Sequence, residues 1–294
     1  MALRSLVRGA AERALCALPR RTQPGDRLIL AYHNVVPTDW APRGDRSLHL
    51  PVDTFEAQLR FIRNEAEIVP LMELLTTDAP NDRRVAITFD DAYASAVALG
   101  VGACMAHRAP CTVFVAPGLL GTVPIWDQRA NTGTWTAIDR EQFLWNQLGR
   151  RAASDATAPR VQVESDLLIA SADMLRALPR AAGISFGNHT MTHPNLAALT
   201  TDDVRREIEA AWGWLHEFLS DAIVPVVAYP YGLAPRDAAA AMPRDYADFG
   251  LRVTGNWQRT GAVADPLAFP RWNVPSGISA HGFRVRLRGY LAGR

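Results

Sequence analysis

The stretch RVAITFDDAY, residues 84–93, decides the fold, because an apolar run ends there in two adjacent carboxylates. Residues 85–89 are β-branched and aromatic, which predicts a strand buried on both faces in a parallel sheet covered by helices. Asp90 and Asp91 would then lie at the carboxyl end of that strand. Successive side chains of an extended segment point in opposite directions, so one carboxylate could bind a cation while the other handles a proton. The pair alone leaves open a plain turn in which one aspartate caps a following helix.

The composition of the chain is that of an ordinary globular protein. Its 294 residues are 48% hydrophobic and 21% charged, and this length suits either a single α/β barrel or two domains. The net charge of +1 gives no field that would attract nucleic acid, so no nucleic-acid partner is expected. The three cysteines are odd in number and lack C-x-x-C spacing, which favours a reducing compartment over a disulfide framework.

Residues 1–24 are predicted to form an N-terminal amphipathic helix or extension, followed by one main domain at residues 25–294. Charged side chains interrupt the apolar residues of 1–21, so no signal-peptide core is present, and no other stretch is long and apolar enough to span a bilayer. Two interpretations of this helix are open. It could rest on an anionic membrane as a peripheral contact through residues 1–21, or it could pack on the main domain. We expect a cytoplasmic protein, with or without membrane association.

Short apolar runs alternate with amphipathic segments from residue 28 onward, which predicts parallel βα units. The predicted strands lie at residues 28–32, 68–71, 85–89, 111–116, 183–187, 224–229 and 249–253. One predicted helix begins at Asp53, as an N-cap with Glu56 three residues on, and a second begins at Thr200.

The stretch 121–182 is less regular than the rest of the chain. We interpret it as an elaborated central connection within one domain, with helical pieces at residues 140–148 and 172–178. Its tryptophans are Trp126, Trp135 and Trp145. They fit either a sugar-binding groove or buried packing.

Two histidines lie four residues apart in His189-Thr190-Met191-Thr192-His193, just beyond a predicted strand. On a helical turn, residues i and i+4 share a face, so both imidazoles could reach one cation. With one carboxylate of the aspartate pair they make a three-ligand set that leaves positions open for water and substrate. Such a set suits zinc or another divalent transition ion.

A tight turn follows another predicted strand at Tyr229-Pro230-Tyr231-Gly232. Such a turn can aim a backbone N–H into a pocket, and a donor aimed at a developing oxyanion is what acyl hydrolysis requires. A plain strand-ending turn is the alternative. His33, the aspartate pair, His189 and Tyr231 all follow predicted strands. Functional residues of parallel βα folds collect at that end of the sheet.

Three motifs in this order resemble the polysaccharide deacetylase family, carbohydrate esterase family 4. They are Thr88-Phe89-Asp90-Asp91, His189-Thr190-Met191-Thr192-His193 and Ala228-Tyr229-Pro230-Tyr231-Gly232. The resemblance spans about residues 28–271, and Leu30-Ala31-Tyr32-His33-Asn34-Val35 is similar to the opening of a branch that acts on bacterial surface polysaccharides. It implies a single-domain, distorted (β/α) barrel of about seven parallel strands.

The activity implied by the resemblance is that of a metal-dependent hydrolase. It would remove an N-acetyl group from a sugar of an envelope oligosaccharide, polysaccharide or glycolipid and release acetate. Asp91, His189 and His193 would hold a divalent metal ion, zinc in the first instance, and Asp90 would be the general base. The backbone N–H of Tyr231 would help to bind the oxyanion, and the partner would be an N-acetylated carbohydrate.

The chain departs from the family pattern at three places. Ala92 replaces the usual glycine after the aspartate pair, which is expected to change only the local turn. Ala228 stands where many members have an arginine that orients the base, and Arg271 is the candidate substitute, with a surface arginine as the alternative. The late leucine-x-histidine motif that supplies the general acid is not evident. His281 is one candidate for the acid, although its setting is typical of a loop, and His33 is a second candidate for a site role or a structural histidine.

These departures keep other functions open. One is a catalytically impaired carbohydrate-binding or assembly protein on the same fold. Another is a hydrolase of a different amide or of an O-acetyl ester, because the metal and base chemistry does not choose the acyl carrier.

Overall fold

A computed structural model describes residues 2–131, 165–180, 183–243, 245–255, 257–259 and 265–290. The strands in chain order are β1 (Asp26–Tyr32), β2 (Asn34–Val36), β3 (His49–Pro51), β4 (Glu67–Ile68), β5 (Arg84–Phe89), β6 (Cys111–Val115), β7 (Ile184–Asn188), β8 (Ile223–Ala228), β9 (Phe249–Val253), β10 (Gln258–Arg259) and β11 (Phe269–Asn273). The helices are α1 (Ala2–Cys16), α2 (Val52–Glu65), α3 (Leu71–Thr76), α4 (Val101–Ala106), α5 (Ile125–Asn131), α6 (Ala172–Arg176), α7 (Thr201–Leu219), α8 (Ala238–Ala241) and α9 (Ala280–Leu287).

Seven parallel strands close into a barrel in the order β1, β5, β6, β7, β8, β9, β11 and back to β1. The two-residue strands β4 and β10 extend this sheet at β5 and β1, and β2 and β3 form a separate parallel pair. The prediction of a distorted (β/α) barrel with about seven parallel strands is therefore confirmed.

Both faces of the barrel strands are covered, as the apolar composition of β5 predicts. Alternate residues of the strands, among them Ile29, Ala86 and Phe269, pack into one cluster with α3. The intervening residues pack into a second cluster with the apolar face of α2. Because side chains alternate along a strand, Asp90 continues the face of Ala86, and Arg271 continues the face of Phe269.

One predicted strand was wrong, and one barrel strand was missed. At residues 68–71 only Ile68 belongs to a strand, because β4 ends there and α3 begins at Leu71. The seventh place in the barrel belongs to β11, whose Pro270 and Arg271 interrupt the apolar run that would have marked it. Both residues are nevertheless buried.

The helix starts show one correction and one confirmation. Asp53 is not the N-cap of α2, because the helix begins at Val52 with Pro51 at the N-cap position and no side-chain cap. The φ of −59° at Pro51 suits a chain entering a helix. Thr200 does cap α7, where its hydroxyl accepts a hydrogen bond from the Asp203 N–H at 3.2 Å.

The carboxyl-terminal part of α1 packs against α9. The Ser279 hydroxyl donates to the buried Glu12 carboxylate at 2.6 Å, and the Arg288 guanidinium donates to the Cys16 carbonyl at 2.6 Å. These contacts favour the packing interpretation for this part of the helix, while membrane contact through residues 1–21 stays a prediction.

Two further expectations concern helices. In the described part of the chain, no helix combines the length and the apolar character needed to cross a membrane. Of the two predicted pieces of the central connection, residues 172–178 contain α6, whereas residues 140–148 lie outside the described residues.

Candidate active site

A cavity of about 270 Å³ opens where the carboxyl ends of the barrel strands meet. The predicted site residues that line it are His33, Asp90, Asp91, His189, His193 and Tyr231. Trp126, which the sequence left open between a groove and buried packing, also lines it. Sequence reasoning missed four other residues of the wall, Asp45, Ser47, Leu48 and Asn273. These residues lie in a loop and at the end of an unpredicted strand, where no local pattern marks them.

The aspartate pair is separated by a sharp turn rather than by an extended backbone. Asp91 and Ala92 have φ values of 67° and 59°, so both adopt the left-handed conformation. The expectation that strand-like alternation separates the two carboxyls was therefore wrong, because a turn separates them. The two carboxyls nevertheless enter different surroundings. The left-handed conformation also explains why glycine suits position 92, since a Cβ there costs about 1–2 kcal/mol.

Asp91, His189 and His193 meet at one buried point in the wall of the cavity. Asp91 Oδ1 lies 3.4 Å from His189 Nε2 and 3.2 Å from His193 Nε2. One ligand atom from each of the three residues lies within 4.8 Å of the others, so the group could hold a metal ion. Among the described residues, Asp91 Oδ1 has no hydrogen-bond donor although it is buried.

The two imidazoles converge because of a loop, not the helical turn that the spacing predicted. Thr190 and His193 have φ values of 65° and 58°. Glu207 of α7 holds this loop, since its carboxylate accepts hydrogen bonds from the N–H and the hydroxyl of Thr192, both at 2.8 Å. The Thr190 hydroxyl accepts from the His193 N–H at 3.1 Å. Glu207 is a further residue that sequence reasoning missed.

His189 is oriented by its second ring nitrogen. Nδ1 lies 2.7 Å from the Ala228 carbonyl oxygen, which can only accept, so Nδ1 carries the proton. The lone pair of Nε2 is then directed at Asp91, as a metal ligand requires.

Asp90 is clamped by the guanidinium of Arg271, which is fully buried. Arg271 Nη1 donates to Asp90 Oδ1 at 2.7 Å, and Nη2 donates to Oδ2 at 2.8 Å. Nη1 also lies 3.2 Å from the Thr88 hydroxyl oxygen. The structure thus brings together the candidate substitute Arg271 and the predicted base.

Charge and burial oppose each other in setting the pKa values of the two aspartates. Burial raises the pKa of Asp90, but Arg271, and after it His189, lowers it, and the net pKa is below the ordinary value. Burial also raises the pKa of Asp91, but His193 and His189 together hold it well below the ordinary value. Both carboxyls are therefore ionised at neutral pH.

The two imidazoles respond differently to the same surroundings. Burial lowers the pKa of His189, but Asp90 and Asp91 outweigh it, so the net pKa is raised. For His193, burial is the stronger effect and the pKa is lowered despite Asp91.

Tyr231 lies at the predicted turn beside the cavity. Its φ is 58°, and its ring centroid lies 4.7 Å from that of His193. His33 follows β1 and also faces the cavity, close enough to lower the pKa of Asp90. His281 is not brought to the site: it lies in α9, where its carbonyl faces the Cys16 thiol at 3.5 Å.

The fold and this site define a barrel protein with a candidate metal centre of two histidines and one carboxylate, beside a second, arginine-clamped carboxylate. Residues 77–251, more than half of the chain, match the sequence profile described as Polysaccharide deacetylase, and the chain belongs to that family. The family acts on acetylated carbohydrates, so carbohydrate deacetylation is the general activity that this membership supports.

Several solved structures share the fold at low sequence identity. The Streptococcus pyogenes deacetylase PplD in complex with acetate has 17% identity and a TM-score of 0.61, with 88% of this chain and 97% of that chain covered. IcaB from Ammonifex degensii has 17% identity and a TM-score of 0.63, with coverages of 91% and 97%. A de-N-acetylase from Aggregatibacter actinomycetemcomitans has 11% identity and a TM-score of 0.64, with coverages of 89% and 99%.

Proposed function

We propose that this protein is a metal-dependent hydrolase that removes an N-acetyl group from a sugar of an envelope oligosaccharide, polysaccharide or glycolipid and releases acetate. The observation that carries the proposal is that two carboxylates in one cavity have different surroundings. Asp91 faces two imidazoles, whereas Asp90 is held by Arg271. Two carboxylates in such different surroundings suit the roles of ligand and base.

A divalent cation, zinc in the first instance, would be held by Asp91, His189 and His193. The fit is supported by the buried Asp91 Oδ1, which has no donor among the described residues, and by the nitrogen and oxygen ligands that zinc prefers. When bound, the cation would polarise the acyl carbonyl and acidify water.

The residues around the cation site would handle the proton and the developing charge. Asp90, whose carboxylate is held in orientation by Arg271, would take a proton from the attacking water. The water oxygen would form a bond to the acyl carbon. The backbone N–H of Tyr231 would donate to the oxyanion. The C–N bond then breaks, and the sugar nitrogen must receive a proton to leave as an amine.

We assign that last proton transfer to His33. This imidazole lines the cavity and acts electrostatically on Asp90, whereas His281 lies in α9 against α1. The cavity thus contains a candidate acid, His33, although the leucine-x-histidine motif that supplies the acid in the family is not evident in this sequence.

Replacing His33 by Gln is expected to lower kcat on an N-acetylated sugar by about 10²-fold, because the departing amine would lose its proton donor. With an activated aryl acetate, whose leaving group needs no proton, kcat of the variant should fall much less. The two substrates are compared under the same conditions, with His107→Gln as a control outside the cavity. An equal loss on both substrates would remove His33 from the role of acid.

The proposed function is tested by acetate release from a panel of N-acetylated oligosaccharides, O-acetylated sugars and short-chain amides. The zinc-loaded protein is compared with protein stripped by a chelator, and binding to each panel member is measured in parallel. We expect acetate from N-acetylated sugars, lost on stripping and restored by zinc. Binding without turnover would instead support a binding or assembly protein, and preferred cleavage of O-acetyl esters would redefine the substrate.

The alternative of a binding protein loses one of its arguments, because Arg271 makes a contact with Asp90 that the side chain of Ala228 cannot make. The substrate sugar, the cytoplasmic location and the boundary between residues 1–24 and 25–294 stay predictions.

A further inference from the structure

Among the described residues, none forms a hydrogen bond to Nδ1 of His193, the second histidine of the proposed metal centre. His193 is buried, Nδ1 included. Its neighbour His189 differs, because its Nδ1 is bonded to the Ala228 carbonyl. Metal-binding histidines almost always donate their second N–H to a fixed acceptor, and loss of that acceptor weakens metal binding.

Ring packing is what holds His193 instead. Its imidazole centroid lies 4.9 Å from that of Trp126 and 4.7 Å from that of Tyr231. Trp126 is only 5% exposed, so its indole forms a wall that is shared by the cavity and the imidazole. The orientation of His193 therefore depends on how firmly Trp126 itself is held.

Trp126 is held by a buried relay of hydrogen bonds that ends at a carboxylate. Its indole Nε1 donates to the Tyr93 hydroxyl oxygen at 2.7 Å, and the Tyr93 hydroxyl donates to Asp127 Oδ2 at 2.6 Å. Both Tyr93 and Asp127 are fully buried. Each donor in this relay has its own acceptor, so the direction of the indole N–H is fixed.

Asp127 is in turn anchored by the loop that lines the cavity through Asp45, Ser47 and Leu48, and by His49, which follows that loop. Its Oδ1 accepts from the Asp45 N–H at 2.7 Å and lies 3.0 Å from His49 Nε2. Asn34 Nδ2 lies 3.1 Å from His49 Nδ1 and donates to it, which leaves the His49 proton on Nε2. The backbone of the loop at Gly44 lies close to the Asp127 carboxylate, so close that a Cβ at this position would be 2.4 Å from Asp127 Oδ1.

We propose that Asp127 and Tyr93 are positioning residues for the metal centre: through Trp126 they set the orientation of the His193 imidazole that a hydrogen bond sets in other metal-binding histidines. This inference rests on the metal site of the proposed function. It assigns a purpose to the buried Asp127 carboxylate, whose hydrogen-bond partners are Asp45, His49 and Tyr93 rather than the proposed ligands or the base.

The test is the zinc affinity of Tyr93→Phe, measured without substrate by competition with a chromophoric chelator. This change keeps the ring and removes one hydroxyl, and zinc affinity is expected to fall about tenfold. Asp127→Asn should act in the same direction. The absorption spectrum of the cobalt-substituted variants should also shift, because the geometry of the His193 ligand changes.

The matched control is Tyr32→Phe, which removes a buried hydroxyl that donates to Gln58 Oε1 at 2.8 Å and does not line the cavity. Its zinc affinity should stay within about twofold of wild type, and thermal unfolding of all variants separates lost stability from lost affinity. Wild-type affinity and spectrum in folded Tyr93→Phe would overturn this inference alone. Failure of the wild-type protein to bind zinc would overturn the proposed metal site and this inference with it.

Discussion

Replacing Asp90 by Asn is expected to lower the rate of acetate release by about 10³-fold while zinc remains bound. An amide at this position cannot take a proton from water, and general base catalysis contributes rate factors of about 10²–10⁴. Zinc should be retained because the proposed ligand set of Asp91, His189 and His193 does not include Asp90. The measurements are acetate release and zinc content of the same preparation.

This substitution also removes the partner of a buried cation. Arg271 has no exposed surface and would keep only one of its two contacts to residue 90, and breaking a buried ion pair costs about 3–5 kcal/mol. Thermal unfolding must therefore be measured beside activity. Asp173→Asn, at a side chain 93% exposed, is the matched control and should change neither. A folded, zinc-loaded Asp90→Asn protein with wild-type activity would rule out Asp90 as the base.

The role of Arg271 can be separated from that of the base by the pH profile. In Arg271→Gln, the carboxylate remains but loses the charge that lowers its pKa, so the pKa of Asp90 rises. The acid limb of the activity profile should therefore move to higher pH, whereas Asp90→Asn lowers the rate at every pH. The lowered pKa of Asp90 also contributes to the free energy of unfolding of the wild-type protein at neutral pH. This contribution is lost as pH falls through that pKa.

The parts of the site that could be predicted are those encoded by adjacent residues. The aspartate pair, the two histidines and the Tyr231 turn each follow an apolar strand within a few positions, and the barrel brings strand ends together. The turn between Asp90 and Asp91 was not predictable in this way, because alanine at position 92 gives no sign of the positive φ that Asp91 and Ala92 adopt.

The parts that local sequence patterns could not predict join residues far apart in sequence, and only the family resemblance pointed to Arg271 as the partner of Asp90. Arg271 reaches Asp90 across 181 positions, and its strand was hidden because a charged residue interrupts the apolar run. That charge can be buried only because Asp90 neutralises it. Likewise His49 meets Asp127 across 78 positions, and each residue by itself is typical of an ordinary polar position.

Replacing His189 by Ala is expected to abolish both zinc binding and acetate release. Two of the three proposed ligands would remain, and Asp91 Oδ1 would face only His193. The Ala228 carbonyl would also lose its donor, which costs about 1–3 kcal/mol in a buried setting. Zinc content is measured by atomic absorption after dialysis, and acetate release is measured with excess zinc present. His216→Ala, on the exposed side of α7, is the control and should keep both properties.

The pH dependence of zinc binding gives a second view of the same ligand. Asp90 and Asp91 raise the pKa of His189 above its ordinary value, so in the metal-free protein its proton is retained to a higher pH. Zinc must displace that proton, so its affinity for the wild-type protein should decrease as pH falls toward and below the raised pKa.

If folded His189→Ala protein kept stoichiometric zinc and activity, the ligand set would be wrong. If it lost activity but kept zinc, His189 would act on the substrate or on Asp90 instead.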